Sequence, residues 1–409
     1  MSSKIAAPRG TFDILPEQAA QREIVERTAC ELLEQAGYRR IETPAFEATE
    51  LFARGVGEST DIVQKEMYSF DDGGGRSLTL RPEGTAPVCR AYVEHGMHKL
   101  PAPVKLYYLG PFFRAERPQA GRYREFWQVG AEALGSDDPA VDAELIALLH
   151  ELLTRLGAST RLRLASLANA PTRAAYREEL AAYLHEHEAA LSESVRSRIE
   201  LNPLRAFDAD DPGTKEVMIK APRLIDGLDT DDAEHFAQVR SLLELAGIAY
   251  EVDPTLVRGL DYYTRTVFEF TSDSLGAQSG VGGGGRYDGL VELIGGPATP
   301  GIGWAAGIER IVLAADVKSP APQPPQIYIA HEGRRTAAFQ LLLELRGGGL
   351  RAEMELGGRS LKGQLKHAER LGTRYVAIVE QDGVRLRDRE SGAERTLSAG
   401  AVLSQVPAP

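Results

Sequence analysis

Cysteine is nearly absent from this 409-residue chain. Cys30 and Cys89 are the only two, and neither has a neighbour at metal-ligand spacing. That excludes a disulfide scaffold, gives no zinc site, and fits a reducing, cytoplasmic setting. Long apolar runs are missing as well: no stretch approaches the ~20 residues needed to cross a bilayer, so no membrane partner is expected. The opening Met-Ser-Ser-Lys-Ile-Ala-Ala-Pro-Arg-Gly lacks the apolar core of a secretion signal. Basic residues are in deficit, with 47 Lys and Arg against 59 Asp and Glu and a net charge of −12. That balance disfavours broad, non-specific binding to nucleic acid. What remains is ordinary for a soluble globular protein, 43% hydrophobic and 26% charged, and long enough for two or three domains.

The charge is unevenly spread. Residues 325–409 hold 13 Lys and Arg against 10 Asp and Glu, a balance of +3 that leaves −15 for the rest. A small basic domain on an acidic body suits local contact with a polyanion, although chance variation gives the same numbers. Lys318 to Pro325 is rich in proline and reads as a linker. Beyond it the pattern alternates: strands at 326–330, 350–354 and 375–380, helices at 334–346 and 360–371, and a hairpin at 384–387 and 395–397. That is a small α/β domain, with basic residues at the helix start in Gly357-Gly358-Arg359-Ser360-Leu361-Lys362.

The stretch most informative about chemistry runs from Tyr107 to Glu132. Pro118-Gln119-Ala120-Gly121 separates two strand-like runs and predicts a hairpin. Alternation places Phe112, Arg114 and Glu116 on one face of the first run. It places Arg124, Phe126, Gln128, Gly130 and Glu132 on one face of the second. Gly130 leaves room between Gln128 and Glu132 for something small. Such a face suits a polar ligand carrying both signs of charge; a solvated hairpin with scattered ion pairs reads the same way.

Elsewhere the sequence predicts a helix over Pro16–Gly37 stopped by Gly37, a strand over Tyr38–Ile41, and a polar loop within Leu51–Tyr68 marked by Gly55 and Gly57. A strand over Ser77–Arg81 runs into the turn Pro82-Glu83-Gly84-Thr85 and a helix over Ala86–His98. Glu83 and Thr85 are therefore placed either to face a ligand or to satisfy free amides at the helix start. Asp138–Leu156 is a helix and Arg161–Leu167 a strand. From Pro171 to about Gly247 the chain is helical, with helices at 171–189, 191–200 and 231–246. Asn202-Pro203 and Asp211-Pro212-Gly213 punctuate it, and Glu186, Glu188 and Glu193 form a solvated face. Strands return at Ala249–Glu251 and Thr264–Phe270. Between them Arg258 needs a partner, Asp261 or an anionic ligand, because an unpaired buried charge is costly.

Gly280 to Asp288 reads Gly-Val-Gly-Gly-Gly-Gly-Arg-Tyr-Asp. It matches G-x-G-x-x-G formally, but no apolar strand enters it and no helix starts at the third glycine, so it is not a dinucleotide fingerprint. No Lys-Ser/Thr pair follows, which removes the phosphate-cradling loop. The glycines instead let backbone approach a ligand or let a strand lie under one. In Gly301–Ala315 an apolar helix follows the glycines and carries Glu309-Arg310. Adjacent helical residues do not face each other, so Arg310 points either at something anionic or at solvent.

These segments resemble class II aminoacyl-tRNA synthetases. Tyr38–Glu47, with Pro44, is similar to motif 1, a dimer-interface element. Phe112-Phe113-Arg114 through Glu132 is similar to motif 2, and Gly301–Leu313 to motif 3. The Arg258 stretch and Gly-Gly-Arg-Tyr-Asp-Gly-Leu at 284–290 resemble the two signatures of the histidyl-tRNA synthetase family. The resemblance covers nearly the whole chain. It implies an α+β fold: an antiparallel-sheet catalytic domain over 1–320 with a helical insertion at about 171–247, and an α/β anticodon-binding domain over 325–409. One departure is Val281-Gly282-Gly283, where the family leads one to expect a β-branched or small residue and Ala; extra glycine would loosen that strand.

The resemblance also implies roles. Arg114 and Arg310 match the arginines that hold ATP phosphates. Glu83, Thr85 and Gln128 match the groups around the amino acid's α-amino group, and Glu132, Tyr263 and Tyr287 those around an imidazole. Arg258 matches a catalytic arginine near the histidine carboxylate and the α-phosphate. Arg122 matches a contact for the tRNA acceptor end. The implied reactants are L-histidine, ATP with Mg²⁺ and tRNA(His), the implied assembly a homodimer, with no metal ligand of protein origin. The alternative is a non-catalytic paralogue acting as a regulatory subunit in histidine biosynthesis. Such proteins generally lack the C-terminal domain and the Arg258-type signature.

Overall fold

A computed structural model describes residues 5–57, 60–256, 259–276 and 279–407. The chain divides into two compact units, Met1–Ser319 and Pro320–Pro409. In chain order the first unit holds α1 (Pro16–Gln35), β1 (Arg39–Arg40), β2 (Phe46–Ala48), α2 (Thr49–Val56), β3 (Tyr68–Asp71), β4 (Ser77–Leu80) and α3 (Thr85–Glu94). There follow β5 (Val104–Phe113), β6 (Glu125–Leu134), α4 (Pro139–Arg155), β7 (Arg161–Ser166), α5 (Ala170–Glu186), α6 (Glu193–Arg196), α7 (Pro212–Ile219) and α8 (Thr230–Leu245). It ends with β8 (Tyr250–Val252), β9 (Thr264–Thr271), β10 (Gly280–Arg286), α9 (Leu290–Leu293), β11 (Gly301–Gly307) and α10 (Ile308–Ala314).

Eight strands form one sheet in the order β1-β5-β6-β11-β10-β9-β7-β8. The pairs β1–β5 and β7–β8 are parallel; the other neighbours are antiparallel. Local chemistry sets the flanking helices. α1 begins with Pro at its first position, where no intrahelical amide is lost. It stops at Gly37, whose φ of +83° reverses the chain and lets Tyr38 N donate to Leu33 O at 2.9 Å. Asp138 caps α4 by accepting from Ala140 N at 2.8 Å. Val25, Leu33, Leu145 and Leu149 from α1 and α4 join Phe268 and Trp304 in the core on one side of the sheet. Tyr108, Tyr263 and Tyr287 belong to a second core on the other side, shared with Tyr176 and Leu180 of α5. The candidate site lies on that second side.

Three expectations change. Residues 49–56 are helical, and Gly55 lies inside α2 because an added Cβ would be 3.2 Å from Ala86 Cβ; it is a packing glycine rather than a loop marker. In 191–200 the α-helix is confined to α6. α7 is an additional helix. Asp211 and Pro212, read as punctuation, are its N-cap and first residue, with Asp211 accepting from Thr214 N at 2.8 Å. Asp-Pro serves a helix start as well as a turn. In 301–315 the helix follows the glycines as expected, starting at Ile308, and Gly301–Gly307 is a strand whose glycines keep side chains off a crowded face.

The second unit is β12 (Ile327–His331), α11 (Arg335–Gly347), β13 (Ala352–Met354), α12 (Leu361–Arg370), β14 (Tyr375–Val379), β15 (Val384–Asp388) and β16 (Glu394–Leu397). Its sheet order is β13-β12-β14-β15-β16, with a parallel half from strand–helix alternation and an antiparallel hairpin at the end. Arg359 at the start of α12 is tied to Glu355 at 3.2 Å.

Candidate active site

Strand β6 carries the site. Its residues Gln128, Gly130 and Glu132 share a face, paired across to Gly110, Tyr108 and Leu106 on β5 and to Gly307, Ala305 and Gly303 on β11. The space above Gly130 is filled. Tyr108 leans over it, and an added Cβ at Gly130 would lie 2.7 Å from Tyr108 Cε2. The gap expected there for a ligand is taken by an aromatic ring from the neighbouring strand.

At one end of this row is an open cavity of about 320 Å³. Arg114, Arg122, Gln128, Glu269 and Arg310 line it, together with the Gly280–Gly283 backbone. Arg114 is aimed by two contacts: its Nε donates to Pro82 O at 2.9 Å, and its guanidinium lies 5.3 Å from the centre of the Phe126 ring. Arg122 pairs with Glu116 at 3.2 Å. Burial and the nearby Arg122 lower the pKa of Arg310. Its neighbour Glu309 turns away and accepts from Trp127 N at 3.0 Å. Three guanidinium groups around one cavity suit a polyphosphate.

At the other end of the row is a closed, buried cluster. Glu132 is fully buried. Its Oε1 accepts from Thr85 Oγ1 at 2.8 Å and its Oε2 from Tyr287 OH at 2.6 Å. Burial, reinforced by the like charge of Glu83, raises its pKa from 4.5 to about 8, although the hydroxyls of Tyr287, Thr85 and Tyr108 pull the other way. Glu83 accepts from the amides of Thr85 at 2.7 Å and Ala86 at 2.9 Å, so it does serve the start of α3. Thr85 does not cap; its hydroxyl goes to Glu132. Burial raises the pKa of Glu83 too, against those amide bonds and Arg114. Tyr262 OH reaches Glu83 at 3.4 Å, and the Tyr263 ring packs where Gly285 has no side chain.

The structure therefore splits the expected residues into two groups joined by β6. Arg114, Arg122, Gln128 and Arg310 face the cavity, while Glu83, Thr85, Glu132, Tyr263 and Tyr287 belong to the buried cluster. Arg258 lies outside the described residues. The segment after it is held by Asp261 N donating to Val56 O at 3.1 Å and by Asn202 Nδ2 donating to Asp261 Oδ1 at 3.3 Å. Gly282 of β10 pairs with Ala306 and Phe270, with a register shift against β9 between Gly280 and Gly282, and an added Cβ at Gly282 would be 2.6 Å from Ala306 Cβ. Sequence reading missed Tyr108, Tyr262 and Gly303. The signal for them was the set of facing glycines, Gly84, Gly130 and Gly303, each marking where a neighbour's side chain must lie. Among the described residues no group of three or more His, Cys, Asp or Glu side chains is arranged to hold a metal ion, and no helix is long and apolar enough to cross a membrane.

A largely antiparallel sheet presenting an arginine-lined cavity beside a buried polar cluster is the core of a class II aminoacyl-tRNA synthetase. The chain belongs to the histidyl-tRNA synthetase family, whose profile matches residues 10–311, and an anticodon-binding domain profile matches residues 327–408. Among its relatives, the histidine–tRNA ligase of Desulforamulus reducens is 48% identical over 402 residues, 96% of each chain. That of Halorhodospira halophila is 50% identical over 388 residues, 93% of this chain and 92% of the relative. The crystal structure of apo S. aureus histidyl-tRNA synthetase aligns over 98% of this chain and 100% of its own, with a TM-score of 0.81 at 35% identity.

Proposed function

We infer that this chain is an ATP-dependent histidine–tRNA ligase. It joins L-histidine to ATP, giving histidyl-adenylate and pyrophosphate, and then passes histidine from the adenylate to the 3′-terminal hydroxyl of tRNA(His), releasing AMP. The observation that carries this is the sharing of β6: one strand presents Gln128 to the arginine-lined cavity and Glu132 to the buried cluster. The near-full-length likeness to ligases, both units included, weighs against the regulatory-subunit alternative.

The chemistry follows from charge. A histidine carboxylate oxygen attacks the α-phosphate and pyrophosphate leaves; both reactants are anionic, so their repulsion must be screened. Arg114 and Arg310 hold phosphates, and Arg258 takes the catalytic role toward the carboxylate and α-phosphate that the family resemblance gives it. Glu116, paired with Arg122, and Glu269, paired with Arg163, line the same cavity and are the carboxylates that would face a Mg²⁺ carried by the nucleotide; that ion would supply further charge neutralisation. Glu83, Thr85 and Gln128 receive the α-amino group, while Glu132, Tyr263 and Tyr287 receive the imidazole. A site built on paired polar groups discriminates strongly against apolar isosteres, which leave those groups unpaired. Arg122 meets the tRNA acceptor end. Residues 1–320 form the catalytic domain and 325–409 the anticodon-binding domain, and the protein works in the cytoplasm.

A homodimer is supported by the three-stranded sheet β2-β4-β3. Its register puts Phe46, Ala48, Tyr68, Phe70, Leu78 and Leu80 on one face, with Phe46 50% and Phe70 44% exposed. The other face is polar and satisfied, Ser69 and Thr79 bonding at 2.7 Å. A contiguous apolar face of this kind suits a second copy. Phe46→Glu should then shift the protein from dimer to monomer in sedimentation.

The function is tested by ATP–pyrophosphate exchange with each of the twenty amino acids. Exchange with histidine alone supports the ligase reading. No exchange with any amino acid, in folded protein that binds histidine, supports the regulatory reading instead.

A further inference from the structure

Tyr108 has no role in the site as assigned above, yet it occupies the middle of it. Its ring is wedged between two glycines from different elements. An added Cβ would be 2.6 Å from its hydroxyl oxygen at Gly84 and 2.7 Å from its Cε2 at Gly130. Gly84 lies between Glu83 and Thr85 in sequence, and Gly130 lies between Gln128 and Glu132 along the β6 face. The hydroxyl is thus surrounded by the groups that receive the amino acid. The backbone has given up two side chains to admit this ring.

The hydroxyl is buried against Thr85 and the Glu132 carboxylate, both close enough to influence it, but it meets neither at bonding geometry. Buried hydroxyls are nearly always satisfied, so an orphan calls for an explanation. A second orphan is close by: Gln128 Oε1, on the same face of β6, is also buried and unpartnered. One is a donor and the other an acceptor, and both flank Gly130. Burial, together with the charges of Glu132 and then Glu83, pushes the Tyr108 phenol well above its ordinary range, so the hydroxyl keeps its proton as a donor.

We propose that Tyr108 is a specificity-determining contact of the amino-acid site, its hydroxyl gaining a hydrogen-bond partner only when histidine is bound, at the imidazole end beside Glu132 and Tyr263. This rests on the ligase reading. The ring closes the site between Gly84 and Gly130, limiting the size of the side chain accepted. The hydroxyl rewards a ligand that carries an acceptor. In the free protein it is a cost left unmade, and in the complex it is a bond gained.

The two states give opposite signs for one substitution. Tyr108→Phe keeps the ring and removes an orphaned hydroxyl, so the free variant should melt no lower than wild type. Its KM for histidine in ATP–pyrophosphate exchange should rise about tenfold, the size expected for losing one buried bond to a polar ligand. KM for ATP should stay within about twofold, since Tyr108 does not line the arginine cavity. A histidine KM equal to wild type overturns the proposal. So does a lowered melting temperature with histidine and ATP constants moving together, which marks a purely structural role. Wild-type protein in the same assay separates the two inferences: no exchange there sinks the ligase reading, whereas normal exchange with an unaffected variant sinks only the role of Tyr108.

Discussion

The Glu132 carboxylate occupies the place where a side chain on Gly303 would be. The two residues are cross-strand partners on β6 and β11, and an added Cβ at Gly303 would overlap Glu132 Oε2 and lie 2.8 Å from Ala131 O. Neither obstacle yields easily, since one is backbone and the other is pinned by Thr85 and Tyr287. Gly303→Ala should displace the carboxylate and lower kcat/KM for histidine in ATP–pyrophosphate exchange by about 100-fold or more, the scale set by a ~1 Å misplacement in an active site. ATP binding, measured by fluorescence titration, should change little, because Gly303 does not line the arginine cavity.

Glu132 also sets a pH dependence. Its pKa rises from 4.5 to about 8 on folding, mainly through burial. Between those values the unfolded chain has lost the proton that the folded one keeps, so folding takes up a proton and stability falls as pH rises. The slope reaches ~1.4 kcal/mol per pH unit inside the window and vanishes outside it. Below pH 4.5 the protonated carboxyl costs nothing extra. Glu132→Gln, which cannot ionise, should flatten the decline between pH 5 and 8 in urea titrations. An unchanged slope would show that Glu132 is not the group responsible.

Most of the fold was legible in the sequence because its signals are local. Asp138 and Pro139 announce α4, Gly37 ends α1, and Tyr107–Glu132 reads as a hairpin from alternation and one turn. The failures are non-local. Gly55 looks like a break until its approaching partner, Ala86, is known, and nothing beside Gly303 in sequence says that Glu132 will fill its place. Asp211-Pro212 fits a turn or a helix start equally well, and only packing decides. For the site, the family resemblance implies the residue set, and the fold divides it into an open cavity and a closed cluster. Tyr108 escaped notice because nothing in a strand's own sequence says that its ring will lean over a glycine on the next strand.

Arg286 belongs to the glycine-rich signature but never reaches the cavity. It is fully buried and pairs with Asp142 at 2.7 Å and Asp288 at 3.1 Å. It also donates to the carbonyls of Ser136 at 3.2 Å and Asp138 at 3.3 Å, clamping the start of α4 to β10. Asp142 in turn meets His235 Nε2 of α8 at 2.8 Å. Arg286→Ala leaves Asp142 buried without its guanidinium and should cost ~3–5 kcal/mol, read as a lower urea midpoint. Arg286→Met with Asp142→Leu, which removes both charges, should recover part of that loss. If the double variant is as unstable as the two single losses added together, the pair is not coupled and the clamp is wrong.

The second unit has its own core, built on Ile327, Ile329, Leu341, Leu345 and Ala377, and carries the excess of positive charge in an otherwise acidic chain. None of the cavity or cluster residues of the active site lies in it. On the proposed assignment, histidine activation uses those residues and the second unit contacts tRNA(His), and phosphate contacts weaken as salt rises. A chain ending at residue 320 should therefore keep histidine-dependent pyrophosphate exchange within about threefold, while kcat/KM for charging tRNA(His) falls by about 100-fold or more, the size of losing several phosphate and base contacts. The full-length protein should show a KM for tRNA that climbs steeply between 50 and 200 mM salt, and the truncated chain a shallower climb. Equal charging by the two chains would remove the tRNA-binding role from residues 325–409 and leave the fold of that unit without a function.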